Sequence, residues 1–334
     1  MRLPGFEYSR PASLEEACGL LAEHKGEARI LSGGTALLTY LGQRLLTPKY
    51  VISLRGISGL NYIDYDEANG LRIGALTSIS DIVTSPVIRK RYPLLCQAAK
   101  GIGVPAIRYM GTVGGNLCLD TRCIYYNQSF FWRQVRSACF KRGGEACHAV
   151  KGGDRCHAVY QGDLAPVLLA LDARVKLTRA GGERLLPLSE FFTGKGEAPL
   201  SLGPEEILTE VQVPPLPKGS VGSYQKLRVR EAMDFPLAGV AVVLSLDGEK
   251  VCHGARVVLG AVAPAPIRVT EVEGILPGRE IRAEVIEEVA EAAFRKAHPV
   301  NNLSLEASYR RKMIRTLLKR AIERSLNLTG GAQS

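Results

Sequence analysis

The sequence predicts an α+β protein: a two-part α/β domain, a smaller α+β C-terminal domain, and a cysteine-bearing loop inserted in the first. Three observations predict it. The first third of the chain alternates strand-like and helix-like runs with glycine turns between them. Beyond residue 220 strand-like runs cluster, and two long helical patterns follow. Residues 117–162 show neither a strand nor a helix period, yet hold five of the eight cysteines and the only tryptophan.

The elements follow in order. Ser13 and Glu16 have the spacing of a capping box, and Leu14, Ala17, Leu20 and Leu21 then share one helical face. A strand at Ala28–Leu31 runs into Ser32-Gly33-Gly34-Thr35, and residues 36–45 read as helix. Residues 50–54 and 71–76 read as strands, and residues 87–100 as a helix stopped by Gly101. After the irregular segment come a helix at 163–171 and a strand at 174–178. The glycines at 219–222 suggest a boundary, giving domains 1–220 and 221–334. Strand-like runs at 224–229 and 240–246 follow. The Asp247-Gly248 pair suits a tight hairpin leading to a strand at 256–262. Helices at Ala283–Lys296 and residues 307–326 complete the second domain.

Composition narrows the function. Of 334 residues, 46% are hydrophobic and 23% charged, which supports packed cores rather than disorder. The first ten residues do not read as a signal peptide, and no apolar run reaches membrane-spanning length. The expectation is a cytoplasmic protein whose cysteines are thiols or metal ligands, with no membrane partner. The net charge is +10, but no basic run is interleaved with aromatics, so no nucleic-acid partner is expected.

The segment from Ile30 to Leu37 is a strand, a Gly-Gly turn and a helix start. Such a turn lets backbone N–H groups approach a phosphate closely. Gly111-Thr112-Val113-Gly114-Gly115-Asn116 offers a second turn. Neither matches the G-x-G-x-x-G fingerprint. Either alone reads as a sharp connection; two in one α/β domain suggest a pyrophosphate held between them.

These two turns resemble the flavin-binding stretches of the FAD subunits of the xanthine dehydrogenase, aldehyde oxidase and carbon monoxide dehydrogenase family. The resemblance extends to Ile73-Gly-Ala-Leu-Thr77, the run from Gly162 to Ala170, Glu205-Glu-Ile-Leu208, Tyr224-Gln-Lys-Leu-Arg228 with Asp234, and Ala307-Ser-Tyr-Arg-Arg311. It implies a PCMH-type FAD-binding domain followed by a C-terminal domain closing over the flavin. It assigns Ile30, Leu31, Ser32, Gly33, Gly34, Thr35, Ala36 and Leu37, with Gly111, Thr112, Val113, Gly114, Gly115 and Asn116, to the pyrophosphate and ribityl. Asp163 would accept from flavin or ribityl hydroxyls. Ile102 and Leu208 would pack on the cofactor, and Lys226 would lie near the isoalloxazine. The plain alternatives are a helix cap for Asp163, core packing for Ile102 and Leu208, and a surface charge for Lys226.

Residues 117–162 separate Asn116 from Asp163, and a structureless loop of that length needs something to hold it. Its cysteines are Cys118, Cys123, Cys139, Cys147 and Cys156; the last four give C-x15-C-x7-C-x8-C. Structural zinc commonly uses a tight Cys-x2–4-Cys knuckle, absent here, but His148 and His157 leave a mixed zinc site open. Four cysteines also suit a [4Fe–4S] cluster, and spacing alone leaves the two nearly even. The stretch from Cys123 and Ile124 through Trp132 to Cys147-His148 resembles the 4-hydroxybenzoyl-CoA reductase branch, whose flavin subunit carries a [4Fe–4S] insert. By that resemblance Cys123, Cys139, Cys147 and Cys156 are cluster ligands, and Ile124 lies at the cofactor. Cys18, Cys96, Cys118 and Cys252 are ordinary buried thiols.

The resemblance further implies an electron-transfer role without catalytic residues in this chain. A molybdopterin-containing large subunit and a [2Fe–2S] small subunit are the implied partners. Ferredoxin is the implied donor, in the removal of a phenolic hydroxyl during aromatic degradation. The rival readings are an oxidising hydroxylase of the same family and a zinc-stabilised nucleotide-binding module. The insert carries Arg122, Arg133, Arg136, Lys141, Arg142, Lys151 and Arg155 against Asp120, Glu145 and Asp154. A basic docking loop for an acidic donor is therefore expected, with Arg136, Lys141 and Arg142 as its contacts.

Overall fold

The computed structural model describes residues 3–330. A parallel sheet opens the chain: β1 (Glu7–Ser9), β2 (Ala28–Leu31) and β3 (Tyr50–Ser53), in the order β1-β3-β2. Helices α1 (Leu14–Glu23) and α2 (Leu37–Gly42) connect these strands. Ser13 caps α1 by accepting from the Glu16 amide at 3.1 Å, and Ala17, Cys18 and Leu21 are its buried face.

The second sheet is antiparallel and larger. Its first strands are β4 (Ile63–Asp66) and β5 (Gly70–Gly74). A run of short helices follows: α3 (Ile79–Thr84), α4 (Pro86–Arg91), α5 (Pro93–Lys100), α6 (Pro105–Met110), α7 (Val113–Leu117), α8 (Phe130–Gln134) and α9 (Leu164–Ala170). Strands β6 (Arg174–Arg179) and β7 (Gly182–Pro187), helix α10 (Leu188–Phe191) and strand β8 (Ile207–Val213) complete it, in the order β4-β5-β8-β6-β7. The single helix expected over residues 87–100 is two. Pro93 cannot continue the α4 ladder, so Tyr92 leaves helical geometry and Pro93 starts α5.

The third sheet holds β9 (Ser220–Leu227), β10 (Ala238–Leu246), β11 (Cys252–Gly260) and β12 (Ile267–Arg268), in the order β12-β11-β10-β9. Helices α11 (Thr270–Ile275), α12 (Ala283–Lys296) and α13 (Ala307–Gly330) follow. α13 packs on β9 and β10, while α9 packs against β10 and β11. β10 is therefore covered twice: Val240, Val242 and Leu244 join the C-terminal core, and Ala241 and Val243 join the core of the second sheet. That is why its sequence reads as one unbroken apolar run. β9 begins inside the glycine segment at 219–222. The β10–β11 turn is a five-residue loop rather than a two-residue one. Asp247 Oδ1 accepts from the Glu249 and Val251 amides, and Lys250 takes φ +61°.

Residues 117–162 fold without a sheet of their own. α8 is their one α-helix, and single bridges join Arg122 to Val159 and Cys139 to Ala146. Long side chains hold the segment down. Arg133, 5% exposed, donates to the carbonyls of Gln43, Arg44 and Gln128. Asn302, from the loop before α13, donates to the His157 carbonyl and accepts from the Ile124 amide. No described helix is long and apolar enough to cross a membrane.

The expected docking contacts are corrected in part. The Lys141 side chain is 3% exposed and paired with Asp120, and Arg142 donates to the Arg133 carbonyl. Arg136 is exposed, its guanidinium lying over Trp132 and Tyr125.

Candidate functional site

The two glycine turns meet. Residues 32–36 carry the chain from β2 to α2, and an ideal Cβ on Gly33 would lie 2.0 Å from the Met110 carbonyl oxygen. Gly34 has φ +79°, a conformation L side chains resist. Ser32 Oγ lies 2.7 Å from Thr112 Oγ1, and Arg55 donates to the carbonyls of Ser32 and Gly33 at 3.1 and 3.0 Å. The carbonyls are thus held from one side. Among the described residues, the amides of residues 33–36 donate to no protein acceptor.

The second turn differs. The Gly114 amide donates to the Ala75 carbonyl, Gly115 to Thr112 Oγ1 at 3.1 Å, and Asn116 to the Thr112 carbonyl. Most of its amides are thus paired, and among them only that of Thr112 donates to no protein acceptor among the described residues. Two phosphate cradles were expected; the first turn offers four unpaired amides and the second offers one.

Between them opens a cavity of about 740 Å³. Ile30, Ser32, Gly33, Gly34, Thr35, Ala36, Leu37, Ile102, Gly111, Thr112, Gly114, Gly115, Asn116, Asp163 and Leu208 all line it. Four expected residues do not. Leu31 packs under Gly34, Val113 belongs to the core, and Ile124 is 40% exposed. Lys226 stands behind Asp163: its ammonium lies 3.0 Å from Asp163 Oδ1 and 2.8 Å from the Gly101 carbonyl. Asp163 also accepts from the Tyr224 hydroxyl at 2.9 Å. Burial pushes its carboxyl above the ordinary value, against the pull of Lys226 and Tyr224.

Sequence reasoning missed other wall residues. Asp120, Tyr126 and Lys141 come from the insert, and Met233, Asp234 and Phe235 from the loop after β9. Tyr40 is 7% exposed, and its hydroxyl has no hydrogen-bond partner among the described residues. Burial raises its pKa above the ordinary value. Tyr40 lies near the end of α2, and no motif marks it. The free amides, the glycine approach, the orphan hydroxyl and the apolar sides formed by Ile30, Ile102 and Leu208 fit the FAD implied by the sequence.

Among the described residues, no three His, Cys, Asp or Glu side chains come close enough to hold one metal ion. The insert cysteines are nonetheless neighbours. Burial pushes the Cys123 thiol up, the Tyr125 and Tyr126 amides pull it back, and nearby Cys147 and Cys139 raise it again. Cys156 is pushed up to about 11 by burial, with the Ala158 amide and Lys141 opposing and Cys123 and Cys139 adding. Cys118 is pushed to about 12 by burial alone. The four expected ligands thus form one neighbourhood, and Cys118 stands outside it.

Comparison with known proteins covers nearly the whole chain. The family described as "FAD binding domain in molybdopterin dehydrogenase" matches residues 4–216, and "CO dehydrogenase flavoprotein C-terminal domain" matches residues 222–325. The 6-hydroxypseudooxynicotine dehydrogenase complex subunit alpha of Paenarthrobacter nicotinovorans is 30% identical, over 98% of this chain and 96% of that one. The carbon monoxide dehydrogenase medium chain of Hydrogenophaga pseudoflava is 30% identical, over 96% of each chain. In the solved Cu,Mo-CO dehydrogenase, cyanide-inactivated form, one chain superposes with a TM-score of 0.80. It is 28% identical, over 97% of this chain and 99% of that one.

Proposed function

Because the chain belongs to the FAD-binding subunits of the xanthine dehydrogenase and carbon monoxide dehydrogenase family of molybdenum hydroxylases, we propose that it is the electron-transfer flavoprotein subunit of a 4-hydroxybenzoyl-CoA reductase-like complex. In this reading a ferredoxin supplies electrons. A [4Fe–4S] cluster on the insert and the FAD relay them toward a [2Fe–2S] small subunit and a molybdopterin-containing large subunit. FAD suits the task because it exchanges one or two electrons. Residues 1–220 form the FAD-binding domain, and residues 221–334 close over it.

This chain's residues bind and orient. The amides of residues 33–36 take the pyrophosphate, and Ser32 and Thr112 fix the two turns against each other. Ile102 and Leu208 pack on the cofactor. Asp163 accepts from its hydroxyls, with Lys226 acting through Asp163. Cys123, Cys139, Cys147 and Cys156 hold the cluster. The observation that carries the reading is the single neighbourhood formed by these four cysteines beside a cavity wall built from the same insert.

A second reading has one observation in its favour: relatives bear names of oxidising dehydrogenases and hydroxylases. There the complex would oxidise its substrate and discharge through FAD to NAD or a quinone. One assay on the purified complex separates them. The proposal predicts loss of the phenolic hydroxyl from 4-hydroxybenzoyl-CoA with reduced ferredoxin. Substrate-dependent reduction of NAD or quinone without any dehydroxylation would replace it with the second reading.

A further inference from the structure

Lys141 is a buried charge of the insert, and neither the glycine turns nor the cysteines account for it. It follows Cys139 by two positions and turns inward. Its ammonium donates to Asp120 Oδ1 at 2.6 Å, Thr121 Oγ1 at 2.7 Å and the Gly196 carbonyl at 2.8 Å, and lies 5.2 Å from the centre of the Tyr126 ring. Burying an ammonium is costly even when it is paired, and an apolar side chain fills such a space more cheaply. Lys141, Asp120 and Tyr126 all face the cavity.

The charges around it are unequally shielded from water. The Asp120 side chain is 29% exposed against 3% for Lys141, so water screens the carboxylate more than the ammonium. The Arg122 guanidinium stands nearby over Phe235, at 4.6 Å from its ring, and its charge reaches Tyr40. Lys141 and Asp120 line the cavity with Glu197 and Asp234, while Arg122 stands outside the lining; of these charges the Lys141 ammonium is the one water shields least.

We propose that Lys141 is a redox-tuning residue whose ammonium stabilises the reduced, more electron-rich state of the FAD in this cavity. Adding electrons raises the negative charge in the cavity, and a fixed cation in its wall lowers the energy of that state. The inference rests on the FAD site alone, so failure of the cluster assignment leaves it intact.

The test is a potentiometric titration of the flavin absorbance in the purified complex, with FAD and iron contents measured beside it. Lys141→Met removes the charge and keeps the bulk. At a fixed applied potential the reduced-to-oxidised ratio should fall roughly tenfold, which for a two-electron couple is about 30 mV. Lys141→Arg should stay near wild type. Asp120→Asn removes the opposing charge and should move the potential upward. Structural damage would shift Lys141→Met and Asp120→Asn the same way, so shifts of one sign overturn the proposal. An unchanged potential in a Lys141→Met complex with full FAD also overturns it. If Lys141→Met cannot retain FAD, Asp120→Asn decides: a rise supports the proposal, and no change or a fall rejects it.

Discussion

Gly33 has no room for a side chain, because the wall it would strike is a backbone carbonyl, that of Met110. Gly33→Ala should force the two turns apart and weaken FAD binding roughly tenfold or more, about 1.4 kcal/mol. FAD retained on dialysis measures it, and wild-type retention would remove the first turn from the site. Asp163 is a different case. Replacing it by Ala leaves the Lys226 ammonium, 7% exposed, without its carboxylate. The expected cost is about 3–5 kcal/mol in urea unfolding. The glycine turn is legible in the sequence because a Gly-Gly pair between a strand and a helix marks backbone that must approach something closely. Tyr40 and Lys141 are not legible, because their roles depend on what folds over them. Resemblance puts Lys226 at the flavin; in the structure its ammonium pairs with Asp163, and Asp163 lines the cavity.

Elements are legible where their period is long and local. α12 occupies the range its pattern predicts, and β2 likewise. β1 is not legible: three residues carry no period, and they become a strand only by pairing Glu7 with Tyr50. Two element-scale contacts give measurable consequences. On β8, burial pushes the Glu210 carboxyl up, but hydrogen bonds from Tyr62, Gln212 and Arg72 outweigh it and hold the pKa below the ordinary value. A depressed pKa stabilises the fold above the unfolded-state pKa, and that stability is lost as pH falls through the folded value. Arg72→Ala should therefore move acid unfolding to higher pH. Its cost near neutrality should be only about 1 kcal/mol, since Arg72 is half exposed. On α13, Arg310 is fully buried and donates to the carbonyls of Leu237, Val300 and Ala261. Arg310→Met should cost about 3 kcal/mol by leaving those carbonyls unpaired, read from a urea midpoint.

The insert joins the molecule together as well as bearing the cysteines. Arg133 ties it to the end of α2, and Asn302 ties it to the C-terminal domain beside Cys123 and Cys156. It also builds one side of the flavin cavity. Its fold cannot be read from periodicity, because buried arginine, lysine and asparagine side chains hold it instead of a repeating apolar face. These anchors do not depend on the cysteines, so the FAD site should survive loss of any proposed ligand. The most direct test of the account is therefore anaerobic iron, sulfide and flavin analysis of the purified complex beside its Cys156→Ser variant. The account predicts about four fewer iron and sulfide per copy of this chain in the variant, with FAD retained near one per copy. Equal iron in the two complexes would contradict the cluster, and absence of FAD from the wild-type complex would contradict the cavity assignment.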